Sequence, residues 1–229
     1  MKIWNDILNL FFPPLCVVCD ERLTESEEFL CVSCLSKLPI ADVHNFCDSE
    51  LEKLLAGRFP FHKAISFTVY QKEGMMQRIV HRFKYGDDSA LAYFMGELCG
   101  TAFVGKNVVD DIDVLIPVPL HTRRMRERGY NQSEEIARGI SSKLSIPVCA
   151  DILCRKINNP PQAQTQSRME RWRNVKNIFH VEDETYLVGK HILLVDDVIT
   201  TGSTLEACAK ALLDVEGVRI SVFALSAAQ

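Results

Sequence analysis

From residue 64 onward, the apolar positions alternate between a rhythm of short continuous runs and a rhythm of three-to-four-residue spacing. Ala64–Tyr70 is an apolar, β-branched run of strand length, and Met75–Tyr85 puts Met76, Ile79, Val80 and Phe83 on one face of a helix. A second helix is expected over 90–104, a strand over 113–117, and a helix over 131–144 that Asn131 can cap. Segments 146–154 and 178–181 flank a long polar stretch. A strand over 192–196, a helix over 204–214 and a strand over 219–225 follow. Such alternation predicts an α/β fold with a mostly parallel sheet covered by helices on both faces. Ligands of such sheets bind beyond the carboxyl ends of the strands. No internal repeat or low-complexity segment interrupts the pattern.

Upstream the rhythm changes. Ile3, Trp4, Ile7, Leu8, Leu10, Phe11 and Phe12 have the spacing of a short amphipathic helix, and Asn5, Asp6 and Asn9 break the run, which argues against a signal peptide. Gly57, Pro60 and scattered charges between 45 and 62 mark a junction. This divides the chain into an N-terminal module over 1–50 and an α/β module over 60–229.

The most specific chemistry lies at 192–204. The apolar run Ile192 to Val195 leads into adjacent carboxylates, Asp196 and Asp197, where the strand is expected to end. A small, hydroxyl-rich turn follows, Thr200, Thr201, Gly202, Ser203 and Thr204, and then a helix bearing Leu205, Cys208, Ala209, Leu212 and Leu213. Backbone N–H groups at a helix start attract anions, and glycine lets the backbone approach a phosphate closely. Paired acids beside such a turn suit a ribose phosphate. The segment resembles the signature of type I phosphoribosyltransferases, which bind 5-phosphoribosyl pyrophosphate (PRPP). The resemblance implies that Asp196 and Asp197 take the ribose hydroxyls, that Thr200 to Thr204 wrap the 5′-phosphate, and that magnesium accompanies the ligand. Enzymes of this class acting on 6-oxopurines place an Asp three residues past the second acid; Thr200 stands there, which disfavours hypoxanthine or guanine and leaves no catalytic residue assigned.

Nine cysteines suit a metal site better than a disulfide framework. Cys16 and Cys19 form one CxxC pair, and Cys31 and Cys34 form another, a spacing that presents four thiolates tetrahedrally to a structural zinc. A redox dithiol is the weaker reading, because the pairs are matched. Reduced thiolates point to the cytoplasm. Cys99, Cys149, Cys154 and Cys208 lie in apolar surroundings and are expected in the core, whereas Cys47, with His44 nearby, is either a spare ligand or a core residue.

Net charge is −4, yet residues 117–180 carry twelve Lys or Arg against five Asp or Glu. Arg123, Arg124, Arg126 and Arg128 follow the 113–117 strand, and Arg168, Arg171, Arg173 and Lys176 lie in the polar stretch. Such clusters are either solvated faces or sites for pyrophosphate or nucleic acid. Tyr130 and Trp172 stand beside them, as core residues or as stacking surfaces.

Taken together, the motifs resemble the ComF family of competence-associated proteins, which pair an N-terminal zinc ribbon with an amidophosphoribosyltransferase-like domain of type I phosphoribosyltransferase fold. The resemblance covers about residues 11–226 and includes Arg82 to Asp87 (RFKYGD), Ile116 to Pro119, Arg124, Arg128 to Gln132 (RGYNQ), Arg171, Asn174, Val175 and Phe179. It implies a pyrophosphate-side loop containing Pro119, Arg124, Arg128 and Gly129. It also implies a mobile loop over 156–176 with Arg168 and Arg171, and a role in DNA uptake. Relatives carry further cysteine ligands, but Cys47 has no partner three residues on. Gln162, Gln164 and Gln166 precede Arg171 in a register that singles out none. Two functions follow: transfer of phosphoribose to a nitrogen nucleophile with release of pyrophosphate, or non-catalytic binding of single-stranded DNA in competence or repair, regulated by PRPP or a nucleotide, with other uptake proteins as partners. No run is long and apolar enough for a membrane span.

Overall fold

A computed structural model describes residues 12–41, 49–86, 88–155 and 178–228. The described elements run α1 (Val32–Ser36), α2 (Ser49–Leu55), β1 (Ala64–Tyr70), α3 (Met75–Tyr85), α4 (Ser89–Phe103), β2 (Val114–Pro117), α5 (Thr122–Arg128), α6 (Gln132–Leu144), β3 (Leu153–Arg155), β4 (Phe179–Val181), α7 (Glu184–Leu187), β5 (His191–Ile199), α8 (Ser203–Leu213) and β6 (Arg219–Ala228). A four-stranded, all-parallel sheet has the order β1-β6-β5-β2, and β3 and β4 form a small antiparallel pair.

Strand residues alternate between two cores. Leu115, Leu193, Val195, Phe223 and Leu225 face α3, α4 and α6. Val114, Ile116, Ile192, Leu194, Val222 and Ala224 face α8 and α2. That alternation is the two-residue period of a strand, and burial on both faces accounts for the near-continuous apolar runs. Helix α6 is capped by Asn131, whose side chain accepts from the Ser133 N–H at 3.2 Å and donates to the Val118 carbonyl at 3.1 Å. The cap thereby ties the helix start to the end of β2.

Helices α4 and α6 pack through glycines. A Cβ at Gly139 would collide with the Tyr93 carbonyl and would lie 2.7 Å from the Glu97 nitrogen. On an open helix surface Gly→Ala is stabilising by up to about 1 kcal/mol. Gly139→Ala is expected to do the opposite, costing roughly 1–3 kcal/mol as the helices are forced apart. A urea midpoint at or above the wild-type value would contradict this packing.

Both edges of the sheet are covered. On the β1 side, Ala41 donates to Phe67 O and Val69 donates to Pro39 O, each at 2.9 Å, with an antiparallel bridge between Ile40 and Thr68. On the β2 side, Leu115 pairs with 147–149. The span expected as a junction contains α2, whose Leu51 and Leu55 are fully buried against the α8 face. Strand β5 runs to Ile199, past its expected end at 196, because β6 continues beside it and pairs with Val198 and Ile199. Cys99 and Cys208 are buried as expected, whereas Cys149 and Cys154 are only partly so. Among the described residues no helix is long and apolar enough to cross a membrane.

Candidate functional sites: a thiolate cluster and an acid-lined cleft

The four cysteines converge. The sulfurs of Cys16, Cys19, Cys31 and Cys34 all lie within 4.8 Å of one another. The Cys19 and Cys31 sulfurs are 3.7 Å apart, against the ~3.8 Å expected for two sulfurs about 2.3 Å from one tetrahedral zinc. Backbone amides of Cys31 and Cys34 donate to the sulfurs of Cys16 and Cys31, each at 3.4 Å. Burial opposes ionisation of Cys16, but the backbone N–H groups of Cys31, Cys19 and Val18 outweigh it and bring the thiol down to about 7. Four soft ligands at this spacing fit a closed structural zinc site.

The cluster docks on the α/β body. Arg78 of α3 donates to Val18 O at 2.7 Å and lies 3.8 Å from Asp20, while the rings of Phe29 and Phe94 meet at 5.3 Å. Cys16, Val18, Leu23 and Leu30 share one apolar core with α3, α4 and α6.

The second site is a cleft of ≈ 650 Å³ at the carboxyl ends of β2 and β5. Asp196, Asp197, Thr200 and Thr204 line one wall, and Pro119, Arg124 and Arg128 line another. Sequence reasoning placed all seven in a ligand site, and the fold brings them together. Asp197 is 8% exposed and forms a 2.8 Å ion pair with Lys84. Asp196 accepts from the Ser133 hydroxyl at 3.2 Å and from the Asp197 N–H at 2.9 Å. Burial, reinforced by the neighbouring Asp197 charge, nevertheless pushes its carboxyl up to about 7, against the pull of that N–H, Lys84 and Ser133.

Gly202 is left-handed at φ +71° and N-caps α8; a Cβ there would also meet Leu55 at 2.9 Å, so both backbone and packing call for glycine. Thr201 and Ser203 are exposed and linked hydroxyl to hydroxyl at 3.2 Å, beside the cleft lining and not within it. Gly129 does not line the cleft either: it is the left-handed C-cap that stops α5. The Arg123–Arg128 cluster, expected in a loop, forms that helix. Arg168, Arg171, the 156–176 segment, His44 and Cys47 lie outside the described residues.

Several cleft residues had not been assigned a role from sequence. Lys84 belongs to the RFKYGD element, and its pairing with Asp197 joins the last turn of α3 to β5 across more than a hundred residues of sequence. Gln132 is 1% exposed; its Oε1 accepts from Arg128 at 2.9 Å, and its Nε2 has no hydrogen-bond partner among the described residues. His81, Tyr85, Ser133 and Arg155 also line the cleft.

The sheet order, the acid pair in the last part of β5 and the Thr/Gly turn define a type I phosphoribosyltransferase fold carrying a zinc ribbon. Matches to known proteins agree: a Phosphoribosyl transferase domain profile covers 131–228 and a Double zinc ribbon domain profile covers 7–51. Among the described residues one four-ligand cluster is present. Over most of its length the chain is similar in sequence to competence and DNA utilization proteins. It is 28% identical to DNA utilization protein YhgH of Escherichia coli over 214 residues (92% of this chain, 89% of that protein). Competence protein F of Haemophilus influenzae is 26% identical over 229 residues (95% and 99%), and competence protein ComFC of Bacillus subtilis is 28% identical over 225 residues (87% and 89%).

Proposed function

We propose that the cleft binds PRPP and that the protein transfers its phosphoribosyl group to a nitrogen nucleophile, releasing pyrophosphate, in the service of DNA uptake or utilisation. What carries the reading is the acid pair in the last part of β5, lining one cleft with Arg124 and Arg128. In this reading Asp196 and Asp197 accept hydrogen bonds from the ribose hydroxyls. Thr200 to Thr204 and the α8 amides hold the 5′-phosphate, and Pro119, Arg124 and Arg128 form the pyrophosphate side, with Gly129 ending the helix that carries both arginines and with Arg168 and Arg171 added from the 156–176 segment. The functional modules are residues 1–50 and 60–229, with α2 packed on the latter. The thiolate cluster suits a reducing cytoplasm.

Among the described residues no second group of three or more potential metal ligands converges. Magnesium would enter with the ligand's diphosphate oxygens, as is usual for this hard cation, and would supply positive charge beside the leaving group. The chain's residues position the anomeric carbon and surround the leaving group with cations.

Magnesium and PRPP together are expected to raise the melting temperature, because a ligand selecting the native state stabilises it by mass action. The gain should grow as pH rises from about 6 to 8: with its folded-state carboxyl pushed up to about 7, Asp196 becomes a charged acceptor only across that range. Asp196→Asn should remove this part of the pH dependence. A melting temperature indifferent to PRPP at every pH would sink the proposal. The second reading is a single-stranded-DNA binder without turnover, regulated by PRPP or a nucleotide, for which the words DNA utilization and competence in the relatives' names are the support; pyrophosphate release measured across a panel of amine and base acceptors separates the two.

A further inference from the structure

Tyr85 ends α3 with 72% of its surface exposed, and it stands between the acid-lined cleft and a smaller cavity of ≈ 430 Å³. Its neighbour Lys84 holds Asp197, and Arg124 and Arg128 line both cavities. The Arg128 guanidinium lies 5.6 Å from the Tyr85 ring centroid, and the His81 ring, one helical turn back, lies 4.7 Å away at 40°. An aromatic–cation pair alone is an ordinary surface feature; Tyr186 and Lys190 form one at 4.4 Å away from the cleft. Tyr85 differs in its setting. It is a largely solvated ring at the lip of an anion-lined pocket, flanked by cations from two helices.

Of the other two aromatics that line the smaller cavity, Phe83 is buried in the core, and Tyr130 donates its hydroxyl to the Phe83 carbonyl and packs partly buried against that core, so neither is a free stacking surface. We infer that Tyr85 is the stacking platform for a nucleobase, free or within a single strand, that approaches the cleft. The inference rests on the cleft taking a phosphoribosyl ligand. A planar π-faced ring beside phosphate-binding cations is the chemistry by which proteins hold single-stranded nucleic acid: the aromatic ring takes the base and the arginines take the backbone. A base seated on Tyr85 would lie at the lip of the cleft proposed for the phosphoribosyl donor.

The test uses the full chain with zinc, magnesium and PRPP at low salt, with fluorescent oligothymidylate and an abasic strand of equal length as probes. Tyr85→Ala is expected to weaken oligothymidylate binding about 10-fold or more, the scale of one lost base stack. Tyr85→Phe should keep wild-type affinity, and abasic-strand affinity should be the same in all three proteins. Tyr85→Leu, which keeps apolar bulk without a ring, stands in if the alanine variant does not fold. Competition by free thymidine would assign the site to single bases; Tyr85-dependent strand binding without it would assign the site to a strand. No binding of oligothymidylate by the wild type, unchanged binding by Tyr85→Ala, or an equal loss for the abasic strand would each overturn the inference. Thermal stabilisation by PRPP alone is read separately, so failure of the donor site and failure of the stacking site are distinguishable.

Discussion

Cys34→Ser protein is expected to lose its zinc and, with it, the folded N-terminal module. Structural zinc contributes on the order of 10–16 kcal/mol of apparent binding energy in small metal-dependent domains, far more than the few apolar side chains of residues 12–41 can replace. Cys16, Cys19 and Cys31 would retain three of the four ligands but not the closed tetrahedron. Elemental analysis should fall from about one zinc per chain to near none. Trypsin should then cut rapidly after Arg22 and Lys37, sites fixed in the native fold by the turns that present the thiolates. Slow, wild-type cleavage of a metal-free variant would show that the module is held by docking on α3 and not by the metal.

Asp197→Asn is expected to weaken PRPP binding by roughly 10- to 150-fold. The change keeps the side-chain shape but removes a charged acceptor worth about 1.5–3 kcal/mol to a hydroxyl donor. It also leaves Lys84, only 22% exposed, without its carboxylate partner at 2.8 Å. Lys84→Met is the matching control, because it frees the carboxylate without altering it; if the pair acts as one unit, the double variant should lose less than the sum of the two single losses. Calorimetric titration with magnesium present measures all three, and equal PRPP affinity in folded Asp197→Asn and wild-type protein would remove the acid pair from the proposed site.

Elements with a strong apolar period were legible from sequence. The bounds of β1 and α3 match their expected residues, and Met76, Ile79, Val80 and Phe83 are the buried face of α3. The α6 cap at Asn131 and the thiolate cluster were also legible, since each rests on a local pattern with few alternatives. Helix α5 was not, because its sequence TRRMRER buries no residue and so has no apolar stripe to reveal it; the only local sign was the glycine at its end. Helix α2 is too short for its two core leucines to establish a period. The cleft was half legible. Asp196, Asp197 and the threonines share one continuous motif, whereas Lys84 and Gln132 reach it through long-range packing that no spacing rule encodes.

The strip at 39–41 joins the fate of the metal to that of the sheet. Those residues occupy the outer hydrogen-bonding groups of β1, and they leave the ribbon directly after α1. If the ribbon melts, nothing else among the described residues pairs with that side of β1. An unpaired strand edge is a template for pairing with another chain. Chelation would thus convert a monomer-compatible surface into an adhesive one, and zinc here guards solubility as much as it guards a fold.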